Sequence, residues 1–303
     1  MKKQIFYLTL PLLLTLAGCS KGTKIENIAE KKAIVNEVAE GATKRLGHDD
    51  FVFELGLSLD GEFTSEEGKF VFDDFELESE GEFDFPDILE KGSDISNIKA
   101  HLGLVTDGDL SLTMNGATTN VDCDADFAEL YFQQGTIYAD VAKSNLAEFL
   151  VGILGGELEL PLKSKLNLAE LIDPNSVIDL QKDFTAPNIP EEILSQVEFY
   201  VSDDEYIFEL DTSEAVMQDK DGVQHNVEDY YGLDITASLV VDKSFRLQEL
   251  ELDGEINLTK FDKDNEISGE ISISLDLDVD YEANPSVKSV SNPEAYKQFK
   301  LFK

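Results

Sequence analysis

The sequence predicts an α+β protein in which one large, curved antiparallel sheet is covered by a few helices. Two observations carry this. Apolar and polar residues alternate over long runs, among them FVFELGLSLDGEF at 51–63 and GKFVFDDFELESEGEFDF at 68–85. Period-two runs punctuated by Gly, Asp and Asn describe antiparallel strands with one buried face. A few stretches switch to helical spacing, and long strands with an apolar face need such elements to pack against.

The elements follow in order. Ile28, Val35, Val38, Ala39, Ala42 and Leu46 recur at helical spacing ahead of Gly47, which predicts a first amphipathic helix over 26–46. Strands are expected at 51–63 and 68–85, near 98–105 and 109–114, and within 117–132. The dry faces of the first two carry Phe51, Phe53, Leu55, Leu57 and Leu59, and Phe70, Phe72, Phe75 and Leu77, with a register change at Asp73-Asp74. SNLAEFLVGILGG at 144–156 opens on a cap-like Ser144 and closes on paired glycines. It reads as a helix apolar on most sides and as the cover for the sheet. Short helical pieces are expected at 166–172 and, after Pro190, at 191–197. Alternation returns at 198–211, 233–242, 245–259 and 266–281, and Asn292-Pro293-Glu294 opens a short C-terminal helix. No repeat of solenoid period is present.

At the N-terminus, Lys2 and Lys3 precede an apolar run from Ile5 to Leu16, the charged and hydrophobic parts of a secretory signal. The run falls short of the roughly 20 residues a membrane span needs. Leu16-Ala17-Gly18-Cys19 then resembles the lipobox of bacterial lipoproteins. That resemblance implies cleavage after Gly18 and a diacylglyceryl group on Cys19, whose two chains anchor durably at about 0.8 kcal/mol per buried CH2. The expected layout is a signal peptide at 1–18, a lipidated tether at 19–25 and a single β-rich domain at 26–303. The protein is expected to be exported and lipid-anchored, on the outer face of a Gram-positive cell membrane or in a Gram-negative periplasm or outer membrane. With Cys19 acylated, Cys123 is the one remaining thiol, so no internal disulfide framework is available.

Charge narrows the partners. The chain has 24 basic and 63 acidic residues and a net charge of −39, and residues 47–287 hold 12 basic against 58 acidic side chains. Such a surface repels phosphate backbones, which excludes nucleic acid as a partner. The basic residues Lys21, Lys24, Lys31, Lys32, Lys44 and Arg45 gather near the tether. They are expected to face anionic headgroups, with the C-terminal Tyr296, Lys297, Phe299, Lys300 and Lys303 beside them or packed on the body.

No catalytic constellation emerges. His48, His101 and His225 are scattered, and Ser58 in GLSLD lacks the closing glycine of a nucleophile elbow. In MQDKDGVQHNVE, Asp219, Asp221, Gly222 and Glu228 fall at the third, fifth, sixth and twelfth positions of an EF-hand loop. Met217 stands where the first oxygen ligand belongs, so the stretch is either a solvated turn or an irregular Ca2+ site. No other cofactor is expected. Asp122, Asp124 and Asp126, and likewise Asp276, Asp278 and Asp280, are expected to share wet strand faces.

A second resemblance draws on most of the mature chain. The lipobox, the N-terminal helix, the long hairpins, AELYFQQGTIYADV at 128–141 running into an apolar helix, and VVDKSFRLQELELDGEI at 240–256 together look like the LolA-like lipoproteins. These include periplasmic lipoprotein carriers and lipid-binding mycobacterial lipoproteins. The resemblance implies a half-open barrel closed by helices around an apolar cavity, and it carries over no functional residue. Nineteen Phe and no Trp suit either a filled core or a cavity for a lipid or other hydrophobic ligand. For the cavity, the candidate lining residues are Phe51, Phe53, Leu55, Phe70, Phe72, Phe149, Leu150 and Leu154. The function expected is non-enzymatic ligand binding by a membrane-anchored lipoprotein. The alternative is an acidic surface protein that binds a basic partner or divalent cations.

Overall fold

The computed structural model of the 303-residue chain describes residues 21–45, 49–66, 68–85, 95–153, 160–168, 191–213, 215–218, 223–261, 267–281 and 285–298. The first long element is helix α1 (Ile28–Arg45). The Asn27 side chain accepts the backbone N–H groups of Ala29 and Glu30, which supplies the N-terminal cap, and Lys44 and Arg45 suit the negative end of the helix dipole. Thr23–Ile25, expected in the tether, instead forms strand β1 and begins the sheet.

From there strands dominate. β2 (Phe51–Ser65), β3 (Lys69–Asp84) and β4 (Lys99–Met114) are long, and β5 (Ala117–Asp122), β6 (Ala125–Gln133), β7 (Thr136–Val141) and β8 (Leu162–Asn167) follow. The two runs expected near 98–105 and 109–114 are one strand, β4, within which Gly108 takes φ 93°. Between β7 and β8 lies α2 (Asn145–Ile153), capped by Ser144 Oγ, which accepts from Ala147 N. Of the helical piece expected at 166–172, residues 166–167 belong to β8, and residues 169–172 lie outside the described set.

The second half holds α3 (Glu191–Gln196), β9 (Val197–Val201), β10 (Glu205–Asp211), β11 (Val216–Gln218), β12 (Gln224–Asn226), α4 (Val227–Tyr231), β13 (Leu233–Asp242), β14 (Leu247–Asn257), α5 (Leu258–Phe261) and β15 (Ile267–Asp280). The expected C-terminal helix is a single 3-10 turn at Pro293–Ala295, followed by β16 (Lys297–Gln298). Its parallel pairing with β8 draws the chain back into the sheet.

Fourteen strands form one sheet in the order β1-β9-β10-β13-β14-β15-β2-β3-β4-β6-β7-β8-β16, with β5 also on β4, while β11 and β12 pair separately. The order does not close on itself, so the sheet is open. All pairs in it but β8–β16 are antiparallel. The register change expected at Asp73-Asp74 is a bulge between Asp73 and Glu76. Asp74 takes φ 49° there, and a side chain at Gly108 opposite would meet Asp74 O at 2.2 Å. Bulges of this kind increase local twist and bend long strands.

Two helices share the apolar face. α1 packs Ile34, Val35 and Val38 on Phe199, Tyr206 and Phe208 of β9 and β10. α2 packs Leu146 and Phe149 on Val121, Cys123, Phe75 and Leu110 around β3, β4 and β5. The cover is shared by more than one helix, as expected, with α2 over only part of the face because the sheet is wider than one short helix. A third cluster lies on the opposite face, where Tyr131 and Tyr138 are covered by Val290 and Tyr296.

Candidate hydrophobic groove

Antiparallel partners share a face, so the register assigns the faces directly. Phe208, Leu239, Leu250, Leu277, Leu55, Ser79, Leu104 and Ala128 form one row across β10, β13, β14, β15, β2, β3, β4 and β6. The next row runs Leu210, Ala237, Leu252, Leu275, Leu57 and Leu77. In sheet order, α1 and α2 cover strands on either side of β13, β14, β15 and β2. On those uncovered strands Leu55, Leu57, Leu59, Leu250, Leu252, Leu275 and Leu277 are all half-buried. The floor between the helices is thus an apolar strip that remains partly accessible.

Aromatic rings mark both ends of the strip. At one end Phe51 stacks on Phe83 at 4.8 Å and lies 6.0 Å from Phe85 and 5.6 Å from Tyr281. At the other Phe63 stacks on Phe70 at 4.8 Å, and Phe72 meets Phe75 edge-on at 6.4 Å. Phe51 to Leu59 alone spans about 26 Å at roughly 3.3 Å per residue. Ser79 is the polar exception: it is 4% exposed, and its Oγ has no hydrogen-bond partner among the described residues.

The candidate lining residues divide accordingly. Phe51, Phe53 and Leu55 lie on the floor, and Phe70 and Phe72 lie in the far aromatic cluster on the same face. Phe149 is partly buried in the α2 cluster, whereas Leu150 is 38% exposed. Leu154 and Cys19 lie outside the described residues.

The other face is acidic. Glu54 pairs with Asp278 and Glu80, Asp278 with Glu249, and Asp276 with Glu251. Burial, a hydrogen bond with Glu251 and repulsion from Glu251, Asp278 and Asp276 push the Glu249 carboxyl up to about 7. Burial and the same crowding raise Asp276. The row of Asp276, Asp278 and Asp280 is wet as expected. Asp122, Asp124 and Asp126 are also exposed, alternating with buried Val121 and Cys123 and half-buried Ala125 and Phe127, although the strand is interrupted at residues 123–124, where Asp124 N donates to Asp122 Oδ1.

No group of three or more His, Cys, Asp or Glu among the described residues is placed to hold a metal. Asp219 and Asp221 lie outside the described residues, Glu228 lies in the first turn of α4, and Met217 pairs with His225 across the β11–β12 hairpin. His101 lies on the acidic face, its Nε2 3.8 Å from Glu129, and burial and then Lys288 hold its pKa below the usual value. His101 and His225 stand in different sheets, and His48 lies outside the described residues.

The basic N-terminal residues are largely engaged within the protein. Lys21 pairs with Glu209 and Lys24 with Glu198, and buried Lys31 donates to Leu194 O and Val197 O. Lys21 and Lys24 remain 58% and 45% exposed in these pairs, and of the basic group expected near the tether Lys31 alone is buried. The C-terminal Tyr296 packs on Tyr138 of the body, and β16 and β1 stand at opposite ends of the strand order.

One cluster had no local signal in the sequence. Arg45 Nη1 and Arg246 Nη2 donate to the same Asp49 Oδ1, at 3.2 and 2.9 Å. Arg45 Nε donates to Ser244 O at 3.1 Å, and the Arg246 guanidinium lies over Tyr281 at 5.2 Å. Asp49 and Arg246 are 197 residues apart in the chain.

A cavity of about 800 Å³ also opens near β9, β10 and β13. Glu198, Glu209, Asp211, Glu251 and Asp253 dominate its lining, which makes it unsuited to an apolar ligand.

Sheet and helices together define an open antiparallel-sheet protein with an apolar face between two helices. No family model matches the chain, and no curated protein matches it significantly. Among solved structures it is similar to LprF from Mycobacterium bovis, at 12% identity over 85% of this chain and 97% of that one, with a TM-score of 0.24. It is also similar to a DUF1329 family protein from Desulfovibrio piger ATCC 29098, at 9% identity over 84% and 94%, with a TM-score of 0.23.

Proposed function

We propose that the protein is a membrane-anchored envelope lipoprotein that holds a lipid or similar long-chain hydrophobic ligand on the apolar strip, without catalysing a reaction. The observation that supports this best is the strip itself, a continuous apolar floor on β14, β15 and β2 that neither α1 nor α2 covers. A half-buried apolar face of this length still leaves part of its surface to water unless something occupies it. An acyl chain gains about 0.8 kcal/mol for each CH2 it buries, and Leu, Ile and Phe offer it no competing polar groups. The anchor on Cys19 rests on the lipobox-like sequence.

The test is to purify the full-length protein from its membrane, wash out bulk lipid, extract with organic solvent and identify what is released by mass spectrometry. A stoichiometric long-chain species is expected from the native protein. Leu55→Asp and Leu277→Asp, which each place a charge mid-strip, should abolish its retention while the protein remains folded. Absence of any long-chain species beyond the protein's own N-terminal lipid would refute the reading.

A further inference from the structure

The chain contains two arginines, and both converge on Asp49 at the Phe51 end of the strip. We propose that Arg45 and Arg246 clamp the anionic headgroup, phosphate or carboxylate, of a lipid whose chains lie on the apolar strip. This rests on the groove reading above and specifies the class of ligand it takes.

Position is the first argument. Arg246 stacks on Tyr281, and Tyr281 contacts Phe51, so the guanidinium lies one ring away from the start of the apolar floor. Arg45 ends α1, which forms one side of the strip. A ligand with its chain along β2 would place its polar end here.

Chemistry is the second. Every other basic residue in the chain is lysine, yet here arginine is used twice, and its planar fork matches an oxyacid bidentately where lysine offers a point charge. Asp49 occupies that fork only in part. It accepts from Nη2 of Arg246, while the buried Nε finds no acceptor among the described residues. Asp242, the other nearby carboxylate, accepts from the backbone N–H groups of Ser244 and Arg246 and so is engaged in holding the turn. An anionic oxygen would supply what Nε lacks.

The source is the third. β1 pairs Thr23 with Val201, beside the β9–β10 turn, and Glu205 across that turn pairs with Asp242, where the β13–β14 turn that carries Arg246 begins. The chain therefore enters the fold at the clamp's end of the sheet. Cys19 precedes Lys21 by two residues, about 7 Å at most. Its acyl group would bring bilayer headgroups to the clamp.

The test uses the full-length protein in phosphatidylcholine vesicles doped with a probe bearing a photoactivatable acyl chain: phosphatidic acid, palmitic acid or uncharged diacylglycerol. Labelling of residues 51–65 and 267–280 by the two acids should exceed that by diacylglycerol about tenfold, the ratio expected for one charge-assisted contact. Arg246→Gln should remove the excess and leave the diacylglycerol signal unchanged. Asp49→Asn frees both guanidiniums and should increase acid labelling, which a purely structural ion pair would not do. The double variant Arg246→Gln, Asp49→Asn leaves no unpaired carboxylate to disturb folding and should again lack the excess. Equal labelling by all three probes, unchanged by Arg246→Gln, overturns the clamp and leaves the groove standing. Absence of label from both segments with every probe overturns the groove as well. Protection from the acids by equimolar inorganic phosphate would assign the site to free phosphate and overturn the lipid assignment.

Discussion

The ring of Phe245 lies against the bare α-carbon of Gly41: a β-carbon built at Gly41 would stand 2.2 Å from Phe245 Cγ. A glycine inside a helix ordinarily costs about 1 kcal/mol relative to alanine, so α1 gives up intrinsic stability at this position. In return Phe245, in the turn between β13 and β14, seats against the helix and joins its core cluster. Gly41→Ala is therefore expected to destabilise the protein by about 1–2 kcal/mol, because overpacking outweighs the gain in helix propensity. Urea denaturation measures the difference, and a variant more stable than the native protein would show that the ring moves aside freely.

Ser79 makes the opposite case. It sits in the central apolar row between Leu55 and Leu104, 4% exposed, with its hydroxyl unpaired among the described residues. A buried hydroxyl without a partner costs about 1–3 kcal/mol in lost solvation. Ser79→Ala, which deletes the hydroxyl and little volume, is expected to stabilise the ligand-free protein by about 1 kcal/mol. A loss of stability on denaturation would mean that the hydroxyl has a partner.

Much of this was readable in the residues, for a physical reason. Strand and helix periods depend on which side of the backbone meets water, so FVFELGLSLDGEF declared its faces, and the cap-like Ser144 does cap α2. The division of the apolar face between α1 and α2 was not readable, because it depends on sheet order, and β2 lies beside β15 from the far end of the chain. Nor was the clamp: Arg45 is an ordinary helix end and Arg246 an ordinary turn residue until the fold joins them through Asp49. The ion pairs of Lys21 and Lys24 were not readable either, since charge counted along the chain ignores the carboxylates that the sheet brings alongside.

The acidic face makes stability depend on pH in a stated direction. Glu249 has its pKa raised to about 7 by burial and by its neighbours Glu251, Asp278 and Asp276, and Asp276 is raised too. A carboxyl with a raised folded-state pKa holds its proton more tightly folded than unfolded. Its contribution is fully present below the ordinary carboxyl pKa of about 4.3 and is lost as pH rises through about 7. The urea midpoint is therefore expected to fall between pH 5 and pH 8, and Glu249→Gln should flatten that slope. A midpoint that rises over the same range would contradict this account of the face.

The C-terminal segment should behave as a strap on the opposite face from the groove. Tyr296 is 7% exposed, meets Tyr138 edge-on at 5.2 Å, and its hydroxyl donates to Asp140. Lys288 pairs with Glu129, and Val290 completes the cluster with Tyr131. Beyond Tyr296, β16 contributes a short parallel pairing to β8, so the aromatic contact rather than the ladder holds the strap down. Removing a large buried ring costs about 3 kcal/mol where the structure cannot collapse onto the gap, but at a sheet edge the loss is expected as local opening. Tyr296→Ala should speed hydrogen exchange in β7 and β8 while leaving β2 and β15 unchanged, because those strands lie in the middle of the sheet. Uniformly faster exchange would show that the strap supports the whole fold, and unchanged exchange in β8 would show that Tyr296 does not hold it.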